Sequence, residues 1–264
     1  MRIVKDARVA EQWADTLFES YRTGVAIEPL TDADPSLEAG DAHRIQGLFA
    51  SKLIDWMGGQ VIGYKLGLTS EPMQKLLGVD TPDFGPVIST MTHNSGERVA
   101  LRTAIAPKAE AEITLMLGET LRGPGVTALA AARAVEGAVA SIEVVDSRVA
   151  DWRIKLVDTI ADLGSSRAAV LGDRVVPVDF DLRWCGVAIY HNGDLAGTGA
   201  GAACMGSPFN ALAWLANELA LHEEELPAGC FVLTGALHAA FPVKAGDTVW
   251  AAFDRLGSVS VSFD

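Results

Sequence analysis

Residues 109–117 read AEAEITLML, and how this stretch is read decides how the chain is built. As a strand it places Ala109, Ala111, Ile113, Leu115 and Leu117 on one face and Glu110 with Glu112 on the other, about 6.6 Å apart along the chain. Two carboxylates that close repel and raise each other's pKa unless a cation lies between them. The same alternation also suits an amphipathic edge strand with two solvated glutamates.

Working outward, AVASIEVVD (138–146) carries a single charge, Glu143, in an otherwise apolar strand reading. Glu143 shares its face with Ser141 and Val145, and a buried unpaired carboxylate costs several kcal/mol, so it needs a partner. A metal shared with Glu110 and Glu112 would provide one. Oxygen-only ligands favour Mg²⁺ or Mn²⁺ over Zn²⁺, and His43, His93, His191, His222 and His238 are scattered without ligand spacing.

Upstream, VIGYKLGLT (61–69) holds Lys65 in an apolar strand, with Gly63 and Gly67 permitting close approach of a ligand. Lysine there can act as acid or base or as an anion's countercharge. TPDFG (81–85) puts Asp83 in a turn that can close over a site. Before this, Val9, Trp13, Leu17, Phe18 and Tyr21 recur at helical spacing up to Gly24. A loop over 25–40 then precedes a second helix capped by Asp41, which carries Ile45, Leu48, Phe49, Leu53, Ile54 and Trp56 and ends at Gly58-Gly59.

Downstream, TALAAARAVEGAVA (127–140) reads as a helix feeding SIEVVDS, and HNGD (191–194) signals a type I′ hairpin. Ser207-Pro208 announces another helix, and FVLTG, DTVWAAFD and SVSVSF close the chain as strands. Strands without strict strand-helix alternation disfavour a doubly wound parallel sheet. The expectation is an α+β fold, with a helical portion over 1–60 and a β-rich catalytic domain over 61–264 forming a curved, barrel-like roll.

The 264 residues carry a formal net charge of −13, which opposes nucleic-acid and anionic-membrane binding. No secretory or membrane-spanning stretch is evident, and Cys185, Cys204 and Cys230 without a C-x-x-C suit a reducing, cytoplasmic compartment. TGAGAACMG (198–206) lacks the strand-to-helix context of a dinucleotide loop, and neither a Walker A sequence nor a G-x-S-x-G elbow occurs. Metal-assisted lyase chemistry survives this elimination.

The segments GYKLGLTSEPMQKLLGVDTPDFG, PKAEAEITLML, GPGVT, IEVVDSRVADWRIKLVDTIAD, TGAGAACMGSPFNALAWLAN and VKAGD resemble, in matching order from about residue 40 to the end, the 2-oxopent-4-enoate hydratase and 4-oxalocrotonate decarboxylase family. That family belongs to the fumarylacetoacetate hydrolase superfamily. The resemblance implies the superfamily's mixed β-roll, a homo-oligomer and Mg²⁺ or Mn²⁺ on Glu110, Glu112 and Glu143. It also implies catalytic or substrate-contacting roles for Lys65 and Asp83. Leu66, Lys155, Ser165, Ser166, Arg167 and Thr234 are the expected substrate contacts.

The implied reaction is hydration of 2-hydroxypenta-2,4-dienoate in aromatic meta-cleavage catabolism. The alternatives are decarboxylation of a 2-oxo-3-enedioate, or a non-catalytic subunit complexed with a neighbouring pathway enzyme. One departure bears on the choice: hydratases of this type usually read ADNAS where this chain has ADLGSSR (161–167), which places Leu163 and Gly164 beside the pocket and adds Arg167. That guanidinium either grips a second substrate carboxylate or pairs with a surface acid.

Overall fold

A computed structural model describes residues 7–264. Helices α1 (Ala7–Thr23), α2 (Leu30–Ala33) and α3 (Ala39–Met57) precede β1 (Val61–Gly67), α4 (Glu71–Leu77), β2 (Asp83–Ile88), β3 (Thr92–Asn94), β4 (Arg98–Val99) and β5 (Lys108–Leu117). There follow α5 (Ala128–Ala134), β6 (Val135–Val145), α6 (Leu156–Ala161), β7 (Ser166–Leu171), β8 (Gly186–His191), β9 (Asp194–Ala200) and α7 (Pro208–Leu221). The chain ends with β10 (Phe231–Ala236), β11 (Phe241–Pro242), β12 (Thr248–Phe253) and β13 (Gly257–Phe263).

Two curled sheets form an α+β fold. One runs β2-β1-β10-β5-β6-β7-β3 with β11 beside β5, and the other runs β4-β13-β12-β8-β9. Pairing is antiparallel except for β1 with β10, β3 with β7 and β4 with β13. The apolar face of β5 (Ala109, Ala111, Ile113, Leu115) packs with Val187, Ile189, Val249, Ala251, Val259 and Val261 of the second sheet. Each such side chain contributes roughly 1.5–3 kcal/mol on burial. The glutamates of β5 are thereby turned to the opposite face.

The helical portion is cemented to this sheet. Leu17, Ile45, Phe49 and Leu53 form one cluster with Ile88, Met91, Val149, Ile160 and Leu163. Arg148 is fully buried at the junction, where it pairs with Asp162 and donates to the Ser166 carbonyl at 3.0 Å. Its guanidinium lies 5.8 Å from the rings of both Tyr21 and Phe49. From α3, Gln46 Nε2 donates to the carbonyls of Phe84 (2.8 Å) and Ile160 (2.7 Å), joining β2 to α6. Among the described residues no helix is long and apolar enough to cross a membrane.

Several local expectations need correction. Asp41 is not the cap of α3: Glu38 holds that position, and Asp41 accepts from its backbone N–H at 3.0 Å as the other half of a capping box. The expected loop over 25–40 contains α2. The alanine-rich helix stops at Ala134, because from Val135 onward the chain pairs along β5. Asp83 opens strand β2, paired across from Gly67, and does not sit in a turn. The hairpin at Asn192-Gly193 forms with both residues at positive φ (53° and 92°), as a type I′ turn requires.

Candidate metal and active site

β5 is an interior strand, bonded to β10 on one side and β6 on the other. Glu110 stands directly across from Glu143, and Glu112 from Ser141. This register brings one carboxylate oxygen of each of Glu110, Glu112 and Glu143 within 4.8 Å of the others. Glu112 and Glu143 are buried and Glu110 is half-buried.

Burial without hydrogen bonds is what makes the cluster chemically telling. Glu112 Oε2 accepts from the Gly235 N–H at 2.7 Å, but its Oε1 has no partner, and neither oxygen of Glu143 is satisfied by a hydrogen bond. Unsatisfied buried carboxylate oxygens are costly, and three of them around one point suit a hard divalent cation. The all-oxygen set fits Mg²⁺, Mn²⁺ or Ca²⁺ better than a thiophilic ion.

Lys65 projects from β1 into the same place, buried, with Nζ 3.4 Å from Glu143 Oε2 and donating to the Gly164 carbonyl at 2.7 Å. Burial opposes its charge, but Glu143, Asp83, Glu112 and Glu110 together outweigh that and hold the ammonium above its ordinary pKa of 10.5. Asp83 accepts from Thr159 Oγ1 at 2.7 Å through Oδ2, while its buried Oδ1 has no hydrogen-bond partner. The site thus holds a proton donor and an oxygen free to accept.

The carboxylates feel the opposite pressure. Burial, then the Glu143 charge, pushes Glu110 up from 4.5 to about 7, and burial with Glu143 and Glu110 raises Glu112 well above the ordinary range. Burial also raises Glu143, against the pull of Lys65 and of the Ser166 hydroxyl. A carboxyl whose folded pKa is raised binds its proton more tightly in the folded state, so stability is lost as pH rises through the interval between the two values. Metal-free protein is therefore expected to lose stability between about pH 4.5 and about pH 7, the interval over which Glu110 ionises. Over the same interval Mn²⁺ affinity should rise, since each proton competes with the ion. Titrations with Mn²⁺ at a series of pH values check the direction.

Glycines make room for the charged groups. A Cβ on Gly67 would lie 2.1 Å from Asp83 Oδ1, and one on Gly164 (φ +60°) would lie 3.0 Å from Lys65 Cδ. Gly67→Ala should displace the Asp83 carboxylate without deleting any functional group. Because a misplacement of about 1 Å can cost about 10²-fold in rate, kcat is expected to fall by that order with melting little changed.

The other expected substrate contacts divide. Ser165 is buried with an unpartnered Oγ, and the Ser166 hydroxyl faces Glu143. Thr234 adjoins Gly235, and its hydroxyl donates to the Ile113 carbonyl at 2.8 Å. Leu66 points into the core between the sheets. Lys155 is exposed and reaches Asp32 at 3.3 Å. Arg167 pairs with the fully buried Asp146 at 3.3 Å, not with a surface acid, and donates to Thr103 Oγ1 at 3.0 Å.

Sequence reasoning missed the Gly164 carbonyl and the Gly235 N–H, since backbone groups leave no mark on residue type, and Thr159, whose hydroxyl meets Asp83 only through the fold. It also set the histidines aside, yet His43 and His222 meet, together with Glu218, well away in sequence from the three carboxylates.

The fumarylacetoacetate (FAA) hydrolase C-terminal family matches residues 72–263. The chain is 44% identical over 251 residues to the 2-keto-4-pentenoate hydratase of Burkholderia vietnamiensis, covering 95% of each. It is 38% identical over 263 residues to the 2-hydroxyhexa-2,4-dienoate hydratase of Comamonas testosteroni, covering 98% of this chain and 99% of that one. Its fold is similar to that of the 4-oxalocrotonate decarboxylase from Pseudomonas putida G7, solved with magnesium and adipate, at TM-score 0.95, 31% identity and full coverage of both chains. With its E-x-E strand, its third carboxylate and its buried lysine in place, the chain belongs to the fumarylacetoacetate hydrolase family, among the 2-keto-4-pentenoate hydratases and 4-oxalocrotonate decarboxylases.

Proposed function

We propose that this protein is a metal-dependent hydro-lyase that adds water to 2-hydroxypenta-2,4-dienoate, giving 4-hydroxy-2-oxopentanoate in aromatic meta-cleavage catabolism. The observation that carries the reading is the convergence of Glu110, Glu112 and Glu143, the last two buried with unpartnered oxygens, beside Lys65 and Asp83. A divalent ion held there, Mg²⁺ or Mn²⁺, would supply Lewis acidity toward the C1 carboxylate and C2 oxygen of the substrate. The hydratase relatives at 38–44% identity support the substrate class.

The reaction removes the C2 hydroxyl proton, delivers a proton to C5, adds hydroxide at C4 and returns a proton to C3, and it needs a place for negative charge on the C2 oxygen meanwhile. Lys65, held protonated, supplies positive charge toward that oxygen and a proton to give. Asp83 offers its free Oδ1 to take the proton from water, while Thr159 fixes the other oxygen and so the carboxylate plane. Gly67 and Gly164 keep the space between them clear. Ser165, with its unpartnered hydroxyl, is the substrate-binding group that we favour among the remaining residues.

Arg167 is already committed to Asp146, which removes the group that would have favoured a dicarboxylate. Ultraviolet assays with 2-hydroxypenta-2,4-dienoate and with a 4-oxalocrotonate-type dicarboxylate, each with and without Mg²⁺, test the reading. Loss of the dienoate absorbance only with metal is the expected result. CO₂ release from the dicarboxylate with no hydration of the dienoate would overturn it in favour of the decarboxylase.

The proposal extends to a cytoplasmic homo-oligomer, with docking to a neighbouring pathway enzyme as a further element. Three buried free cysteines suit a reducing compartment. Trp184 and Trp250, 75% and 45% exposed, give apolar surface that a second copy can cover.

A further inference from the structure

His43 on α3 faces Glu218 and His222 at the C-terminal end of α7, and one ligand atom from each lies within 4.8 Å of the others. Glu218 and His222 are four apart, so the helical repeat stacks them on one face. The two imidazole centroids are 4.5 Å apart, and His43 stacks on Phe84 at 4.8 Å, which leaves its ring little freedom to turn. From these residues we infer a second metal site, for a borderline divalent cation of the Zn²⁺ class, held by His43, Glu218 and His222.

The donor set separates this site from the carboxylate cluster. Two imidazoles and one carboxylate match the His₂Glu composition used for Zn²⁺, and they leave a fourth position for water. Mg²⁺, which prefers oxygen, has little to gain here.

The surroundings prepare His43 for ligation. The His43 imidazole is packed against the rings of Phe84 and His222. The two imidazoles would repel if both were protonated, and a shared cation removes that conflict. An ion here would also clasp α3 to α7 beside the strand that carries Asp83.

The test uses the whole protein in excess Mg²⁺, to keep the carboxylate cluster filled, and compares wild type with His222→Gln and Glu218→Gln. Equilibrium dialysis against Zn²⁺ should leave the wild type with one more bound Zn²⁺ per chain than His222→Gln, and should weaken Zn²⁺ binding at least tenfold in Glu218→Gln. Cu²⁺ as a paramagnetic probe should show nitrogen hyperfine coupling from two imidazoles in the wild type and from no more than one in His222→Gln. Zn²⁺ should raise the melting temperature of the wild type and leave that of His222→Gln unmoved. Unchanged Mg²⁺-dependent turnover in the variants, measured without Zn²⁺, establishes that they are folded. Equal Zn²⁺ content in wild type and His222→Gln, or Cu²⁺ spectra without imidazole coupling in the wild type, would overturn the inference.

Discussion

Glu112→Gln should lower metal-dependent turnover by about 10³-fold or more while making the metal-free protein more stable. The first effect follows from losing one of three ligand charges, because several kcal/mol of Lewis-acid stabilisation disappear and each 1.36 kcal/mol is about tenfold in rate. The second follows from repulsion that only a cation relieves: burial and the charges of Glu143 and Glu110 all press Glu112 toward its neutral form. The amide is isosteric. Its oxygen can keep the Gly235 N–H bond, and its NH₂ can donate to the unsatisfied oxygens of Glu143. Thermal melts in chelator, set beside kcat in saturating Mg²⁺, read both signs. A fall in both stability and activity would mean that Glu112 is simply structural.

Lys65→Met should reduce kcat by about 10²- to 10⁴-fold, the range for losing a positioned proton-transfer group. It should also destabilise the protein by about 3–5 kcal/mol, the usual result of stranding one partner of a buried pair. A lysine whose folded pKa is raised contributes stability that is fully present below 10.5 and is lost only as pH rises past the folded value, so near neutrality the whole effect is seen. Part of the loss will be recovered by proton uptake at Glu143, which sits 3.4 Å away. Unfolding in urea together with steady-state kinetics separates the two effects. A variant with normal kcat and reduced stability would leave Lys65 as a countercharge alone.

The carboxylate pair on β5 was legible because strands repeat every two residues, so Glu110 and Glu112 had to share a face whatever lay around them. The register that sets Glu110 opposite Glu143 was not, since nothing local to either strand encodes which rung meets which. The reading of β5 as a solvated edge strand failed for the same reason, because sheet order is a tertiary property. The overrun of α5 into β6 shows tertiary pairing overriding alanine's helix propensity. Asp83 looked like a turn residue because Pro82 and Gly85 flank it. Gly85 is instead a close-approach site: a Cβ there would lie 2.2 Å from the Leu163 carbonyl oxygen. His43 and His222 come from helices at opposite ends of the chain, and no spacing rule reaches that far.

Gln46 gives the amino-terminal helices a meaning beyond shielding apolar surface. Its two amide hydrogens grip the carbonyls of Phe84 and Ile160, the residues next to Asp83 and Thr159, whose hydrogen bond orients the candidate base. The helical portion therefore braces the backbone beside Asp83 and Thr159. Trimming the chain back to its β-rich remainder would strip the candidate base of that anchor.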